Sequence, residues 1–256
     1  LTKRARILWI AVPSTLLLLC LFGMYFFNHE PPPFNPVSRA TLHAQDHGHQ
    51  VVPGYTTTAT LIETVDVLLN KRGGYMSNDI LPPWVLLDNV PNWEFGVLTQ
   101  VRDLARAMRN DFSRSQTQST EDIDLAEADP LFHYDNARWF PPDTEGRYRK
   151  GAEALELYLT RLSLPSEPGA QFFARADNLT DWLAIVEKRL GSLSQRLSAS
   201  VGQVRLNTDL SGDAQARQST DSPDILRVKT PWTQIDDVFY EARGTSWALI
   251  QFLRAA

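Results

Sequence analysis

"NLTDWLAIVEKRLGSLSQRLSASVGQV", Asn178 to Val204, is the most regular stretch of the chain. Leu179, Leu183, Val186, Leu190, Leu193 and Leu197 recur there at alternating steps of four and three residues, and Val201 and Val204 continue at steps of four and three. This is the heptad seam of left-handed helix-on-helix packing, and one continuous helix over it would be about 39 Å long. Gly191 and Gly202 weaken it, each by roughly 1 kcal/mol relative to alanine. The seam has two candidate partners: a second copy, met through Leu179, Leu183, Val186, Leu190, Leu193 and Leu197, or another helix of the same chain. The amphipathic stretches elsewhere favour the internal partner.

Those stretches repeat the helical period. Leu61, Ile62, Val65, Leu68 and Leu69 predict a helix over residues 57–72, with Thr60 and Glu63 as a capping box and Gly73-Gly74 as its stop. From Trp93 onward, Leu98, Val101, Leu104, Ala105, Met108 and Phe112 make a buried stripe, while Arg102, Arg106 and Arg109 share another face. Ser119 or Thr120 is the expected cap of a short acidic helix carrying Glu121, Asp122, Asp124, Glu127 and Asp129 and ended by Pro130. The basic face and the acidic helix are expected to pair. Residues 145–164 read as a helix with Tyr148, Ala152, Leu155, Leu159 and Leu162 inward. Thr230 and Pro231 open a last helix whose expected core face is Ile235, Val238, Phe239, Ala242, Ile250 and Leu253. "RLNTDLSGDAQARQSTDSPD", residues 205–224, reads as a mobile polar loop, and no run of alternating strands is apparent. The predicted fold is all-α.

The N-terminus belongs to a different solvent. "ILWIAVPSTLLLLCLFGMYFF", Ile7 to Phe27, carries no charge and is long enough to cross a bilayer as a helix. Lys3, Arg4 and Arg6 precede it and no Lys or Arg follows until Arg39, so the positive-inside rule keeps residues 1–6 cytoplasmic and sends the rest across. "GMYFFNHE" offers no small-x-small cleavage site, which favours an uncleaved single-pass anchor in the inner membrane over a signal peptide. Residues 28–53 then read as a Pro- and His-rich linker and residues 54–256 as a multi-helix periplasmic bundle. In the linker, "EPPPFNP" predicts a stiff extended spacer. His43, His47 and His49 sit beside Asp46, a spacing that suggests a metal site, but Gly48 interrupts it and a solvated linker is the expectation. The chain starts at Leu1 and stops inside the helical pattern "SWALIQFLRAA", so a longer protein is expected.

Bulk composition excludes some functions. With 256 residues, 43% of them hydrophobic, there is material for a sizeable core. A formal net charge of −5 does not suit a general nucleic-acid binder. Cys20 is the single cysteine, which rules out an intrachain disulfide and a cysteine-based zinc site. No cofactor motif is present.

"GGYMSNDILPPWVLLDNVPNWEFG", Gly73 to Gly96, concentrates aromatic, proline and carboxylate residues. Pro82, Pro83 and Pro91 forbid a continuous helix, so a connector is expected, with Asn92 capping the next helix and Trp84, Val85, Leu86, Leu87 and Trp93 folding it over the core. Two chemical readings compete with that one. Asp88 and Glu94 could form the carboxylate pair of a periplasmic glycan hydrolase, which would need both to face one cleft. Alternatively Tyr75, Met76, Trp84 and Trp93, with Arg102, Arg106 and Arg109, could contact lipid headgroups.

Several phrases resemble one family: "GYTTTATLIETVDVLL", "GGYMSNDILPP", "PNWEFGVLTQVRDLARAMRNDFSRSQTQSTED", "ARADNL", "GSLSQRLSASVG" and "KTPWTQIDDVFYEARGTSWAL". Together they are similar to domain of unknown function 2333, a family of Gram-negative membrane proteins, from about Gly54 to the end. The resemblance implies an inner-membrane protein with a helical periplasmic part continuing past Ala256, and it implies no reaction. The resulting expectation is a membrane-tethered helical scaffold or adaptor that meets envelope proteins through the heptad helix and the connector.

Overall fold

The computed structural model describes residues 3–115, 120–164, 169–206 and 225–256. Among these residues the chain forms eight α-helices: α1 (Lys3–Phe27), α2 (Pro36–His47), α3 (Tyr55–Asn70), α4 (Asn89–Ala107), α5 (Ile123–Phe132), α6 (Thr144–Ser163), α7 (Ala176–Ser200) and α8 (Ile235–Ala255). The all-α reading holds. Its one departure is a small antiparallel ribbon, β1 (Gln203–Leu206) with β2 (Ile225–Val228), in register Gln203 to Val228. The polar loop expected between the two strands lies largely outside the described residues, as does Ser119.

α4 is the central element. Its buried residues include Val90, Trp93, Val97, Leu98, Val101, Leu104 and Ala105, so almost every side of it is covered. α3, α5, α7 and α8 pack around it, and α6 closes over α3 and α5. The expected stripe on α4 is buried throughout, down to Met108 and Phe112, which lie in a single π-helical turn (Met108–Phe112). α4 starts earlier than expected. Pro91 falls in its first turn, where the missing N–H costs nothing, so the proline does not exclude the helix.

α2 corrects the linker. Asn35 accepts a hydrogen bond from the Ser38 N–H at 3.1 Å, Pro36 sets the first helical turn, and Gly48 ends the helix in the left-handed region at φ 66°. Ala40 and Ala44 are buried against α3 and α8, so most of the predicted linker belongs to the bundle. α3 begins at Tyr55, and Thr60 is no cap: inside the helix its hydroxyl donates to the Thr56 carbonyl at 2.7 Å. α5 is capped by Asp122, whose carboxylate accepts the N–H groups of Asp124 and Leu125, and Pro130 lies within the helix instead of ending it.

The heptad helix is shorter than its pattern. Val201 sits just beyond α7 and Val204 belongs to β1, so about 37 Å of helix remain. Its partners are α4 and α8 of the same chain. The inward face is turned relative to the seam: Asn178, Trp182, Val186 and Leu193 are buried, while Leu183 and Leu190 are exposed. A bulky tryptophan buries more area than a leucine, and Trp182 takes the core position.

α8 shows a similar rotation. Its expected core residues Phe239, Ile250 and Leu253 are exposed, while Gly244, Thr245, Trp247, Ala248 and Phe252 are buried. The close approach to α4 sets this face. A Cβ on Gly96 would lie 2.2 Å from the Glu241 carbonyl oxygen, and one on Gly244 would lie 2.0 Å from that of Trp93. Two backbones can cross this closely only where neither residue has a side chain.

Candidate functional site

The connector between α3 and α4 is held from inside. Glu94, on the second turn of α4, is fully buried and accepts from Lys71 Nζ, from the N–H groups of Met76 and Ser77 at 2.8 Å each, and from the Ser77 hydroxyl at 2.5 Å. Lys71 also donates to the carbonyl of Gly74. Gly73 and Gly74 turn the chain at φ 91° and 75°, which brings these backbone donors round the carboxylate. A buried ion pair persists only when its remaining hydrogen-bonding capacity is filled, and this one is.

Tyr75 and Met76 are thereby pulled into the interior. Tyr75 stacks edge-on with Tyr148 at 5.8 Å and donates to the Asn136 carbonyl at 3.0 Å. Burial, with Tyr148 and Glu94 nearby, pushes the Tyr75 hydroxyl well above its ordinary pKa. Asp79, at the exposed edge, is raised by desolvation and by Glu94, against the opposing pull of Lys71.

The outer side of the connector is a socket for the base of α1. Met76, Leu87 and Val90 form a small apolar cluster, against which Met24, Phe27 and Trp84 pack. Phe27 and Trp84 rings lie 5.5 Å apart, the Arg72 guanidinium sits 4.6 Å from the Phe26 ring centroid, and a Cβ on Gly23 would meet Pro83 at 2.8 Å. Glu30, just past α1, pairs with Arg243 of α8 at 2.7 Å. The stretch Gly73 to Gly96 is therefore a connector with a second duty, which is to seat the N-terminal helix.

Among the residues singled out from sequence, Trp84 lies in the socket, half-buried. Trp93 is fully buried beside Trp247, with ring centroids 5.2 Å apart, and so faces no surface. The arginine face meets α5: Arg102 donates to the carbonyls of Phe132 and Tyr134, Arg106 contacts His133 Nε2 at 2.7 Å, and Arg109 pairs with Glu121 and Asp129. Arg109 makes the expected basic-to-acidic pairing, whereas Arg102 bonds backbone carbonyls and Arg106 a histidine, so all three groups that a lipid phosphate would need are engaged within the bundle. Asp88 stands exposed at the start of α4 while Glu94 is buried in its ion pair, so these two carboxylates do not share a cleft.

The histidines staple α2 to the bundle. His43 Nδ1 lies 2.8 Å from the Tyr55 hydroxyl and Nε2 lies 3.1 Å from Glu156, while His49 Nδ1 reaches the same hydroxyl at 3.2 Å. His43 and His47 rings stack at 4.3 Å. Among the described residues no group of three or more His, Cys, Asp or Glu side chains is placed to hold a metal ion.

A groove of about 740 Å³ runs beside α8, lined by Pro31, Pro33, Leu197, Phe239, Tyr240 and Ile250 among others. The connector's role was not legible in the sequence, because Lys71 and Glu94 lie 23 residues apart and no local pattern pairs them.

A family model for domain of unknown function 2333, described as an uncharacterized protein conserved in bacteria, matches residues 2–256. No curated protein and no solved structure matches the chain.

Proposed function

The chain belongs to that bacterial family, and from this premise we propose that it is a membrane-anchored periplasmic scaffold or adaptor whose helical body presents apolar surface to other envelope proteins. The observation that carries the reading is the socket. α1 offers one stretch, Trp9–Phe27, long and apolar enough to span a bilayer, and its side chains are almost all exposed. Only its base is packed, against Trp84, Met76 and Leu87, and this fixes the bundle's attitude to the helix. A floppy tether needs no such contacts; a body that must meet partners at a set height and orientation does.

The surfaces offered to partners are Leu183 and Leu190 on α7 and the groove beside α8 with Phe239 and Ile250. Photocrosslinking side chains placed at Leu183, Leu190 and Phe239 in intact cells test the adaptor reading, with Thr180, an exposed polar position on α7, as control. Discrete adducts to an envelope protein or to a second copy at the apolar positions, absent at Thr180, are expected. Uniform absence of adducts would sink the reading. A phosphatase reporter fused after Phe34 tests the orientation: it is expected to be active only if that point lies outside the cytoplasm.

A further inference from the structure

Two loop tips, one of them packed on the base of α1, expose apolar side chains that the bundle does not use. Ile80, Leu81, Val85 and Leu86, around the Pro82-Pro83 pair, are each more than half exposed, and so are Trp139 and Phe140 ahead of Pro141-Pro142. The tips emerge side by side. Asn78 donates to the Arg138 carbonyl at 3.2 Å and Tyr75 to that of Asn136 at 3.0 Å, so the stem of one is bonded to the stem of the other. The second tip is closed at its neck, where Thr144 bonds the Arg138 backbone through both its N–H and its hydroxyl.

Depth follows from α1. The 19 residues Trp9–Phe27 rise about 28 Å, close to the roughly 30 Å of a hydrocarbon core, so no part of the span can be spared. Gly23, about 6 Å before the end of the helix, packs directly on Pro83. If α1 spans the bilayer, Pro83 is at a level where water gives way to lipid. The flanking residues match that boundary, since Arg72 and Arg138 are exposed beside aliphatic and aromatic side chains, as at a bilayer interface.

We propose that the Ile80–Leu86 and Trp139–Phe140 tips insert into the interfacial region of the leaflet next to the bundle, giving it a second and third foothold on the membrane besides α1. This inference rests on the anchoring reading of α1. Val85 and Leu86, expected from the sequence to fold over the core, are exposed in the first tip, whereas Tyr75, Met76 and Trp93, the expected lipid contacts, are buried. Three footholds oppose tilting of the bundle against the bilayer plane more than a single helix does.

The test uses the full chain, with Cys20→Ser, in bilayers of phosphatidylethanolamine and phosphatidylglycerol. An environment-sensitive fluorophore is attached to Leu81→Cys, Phe140→Cys, Leu17→Cys in the span, or Leu157→Cys on the exposed side of α6. Quenching by doxyl lipids about twofold stronger at Leu81 and Phe140 than at Leu157, with blue-shifted emission, is expected. If Leu17 is quenched by lipid but either tip is quenched by aqueous iodide as readily as Leu157, this inference is overturned while the anchor stands, and the tips are left as a surface for protein. If Leu17 itself escapes lipid quenching, both readings fall.

Discussion

Gly96 and Gly244 lie at the crossing of α4 and α8, each facing the other helix's backbone where a methyl group would collide with a carbonyl oxygen. Thr245, next to Gly244, is buried at the same crossing. Because α4 is the element on which the other helices pack, any separation of these two backbones is transmitted through the core.

Gly96→Ala and Gly244→Ala are each expected to destabilise the bundle by about 3 kcal/mol, the upper part of the range for overpacking, since the obstacle is backbone that cannot rotate away. Chemical denaturation of the chain in detergent measures this. Gly191→Ala on α7, where an added Cβ meets nothing within 4 Å, is the control and should be neutral or slightly stabilising. Equal effects at all three positions would contradict the crossing argument.

The Lys71–Glu94 pair should behave as a unit. Lys71→Met leaves a buried carboxylate without its cation and is expected to cost about 3–5 kcal/mol. Glu94→Gln strands the ammonium in the same way. The double variant should lose clearly less than the sum of the singles, because neither charge is then left buried alone. It should not return to wild type, since the N–H groups of Met76 and Ser77 lose a charged acceptor. Additive losses in a denaturation cycle would show that the pair is not coupled.

Acid should loosen the α2 staple. His49 is held below its ordinary value of 6.5 by burial first, then by His47 and His43, with Glu156 pulling the other way. A histidine whose folded pKa lies below the unfolded one takes up protons more readily when unfolded. Its contribution to stability is therefore complete above about pH 6.5 and declines as the pH falls toward the folded pKa. Wild type should lose stability between neutral and mildly acidic buffer, and His49→Gln should flatten that dependence. An unchanged slope in urea midpoints measured at both pH values would count against it.

Loosening the socket should free α1 without melting the bundle. Trp84→Ala removes the ring that packs on Phe27 while leaving Glu94 and its donors in place. Faster proteolysis within residues 28–35 in detergent, with a nearly unchanged helical melting curve, is the expected result. Faster cleavage throughout the bundle would mean that Trp84 supports the core itself.

Much of this architecture was legible because helical period is a local property. The spacing of Leu61 through Leu69 and of Leu98 through Phe112 needs no knowledge of partners, and both stripes are buried. The face of α7 and α8 that turns inward was not legible. Both helices carry apolar residues on more than one side, and Trp182 and the Gly96–Gly244 approach decide between the sides. The His-rich segment reads as linker in the sequence because a short helix gains most of its stability from packing, and the burial of Ala40 and Ala44 depends on α3 and α8.

The same division holds for the connector. Local spacing and residue type identified a helical chain with one bilayer-length apolar stretch and a proline-rich junction after α3, because period, charge, hydropathy and proline act locally along the chain. Only the tertiary structure paired Lys71 with Glu94, placed Gly23 on Pro83 and left Leu81 and Phe140 outside. Those outcomes depend on which distant backbones come within a few ångströms of each other, a relation that spacing along the chain does not encode.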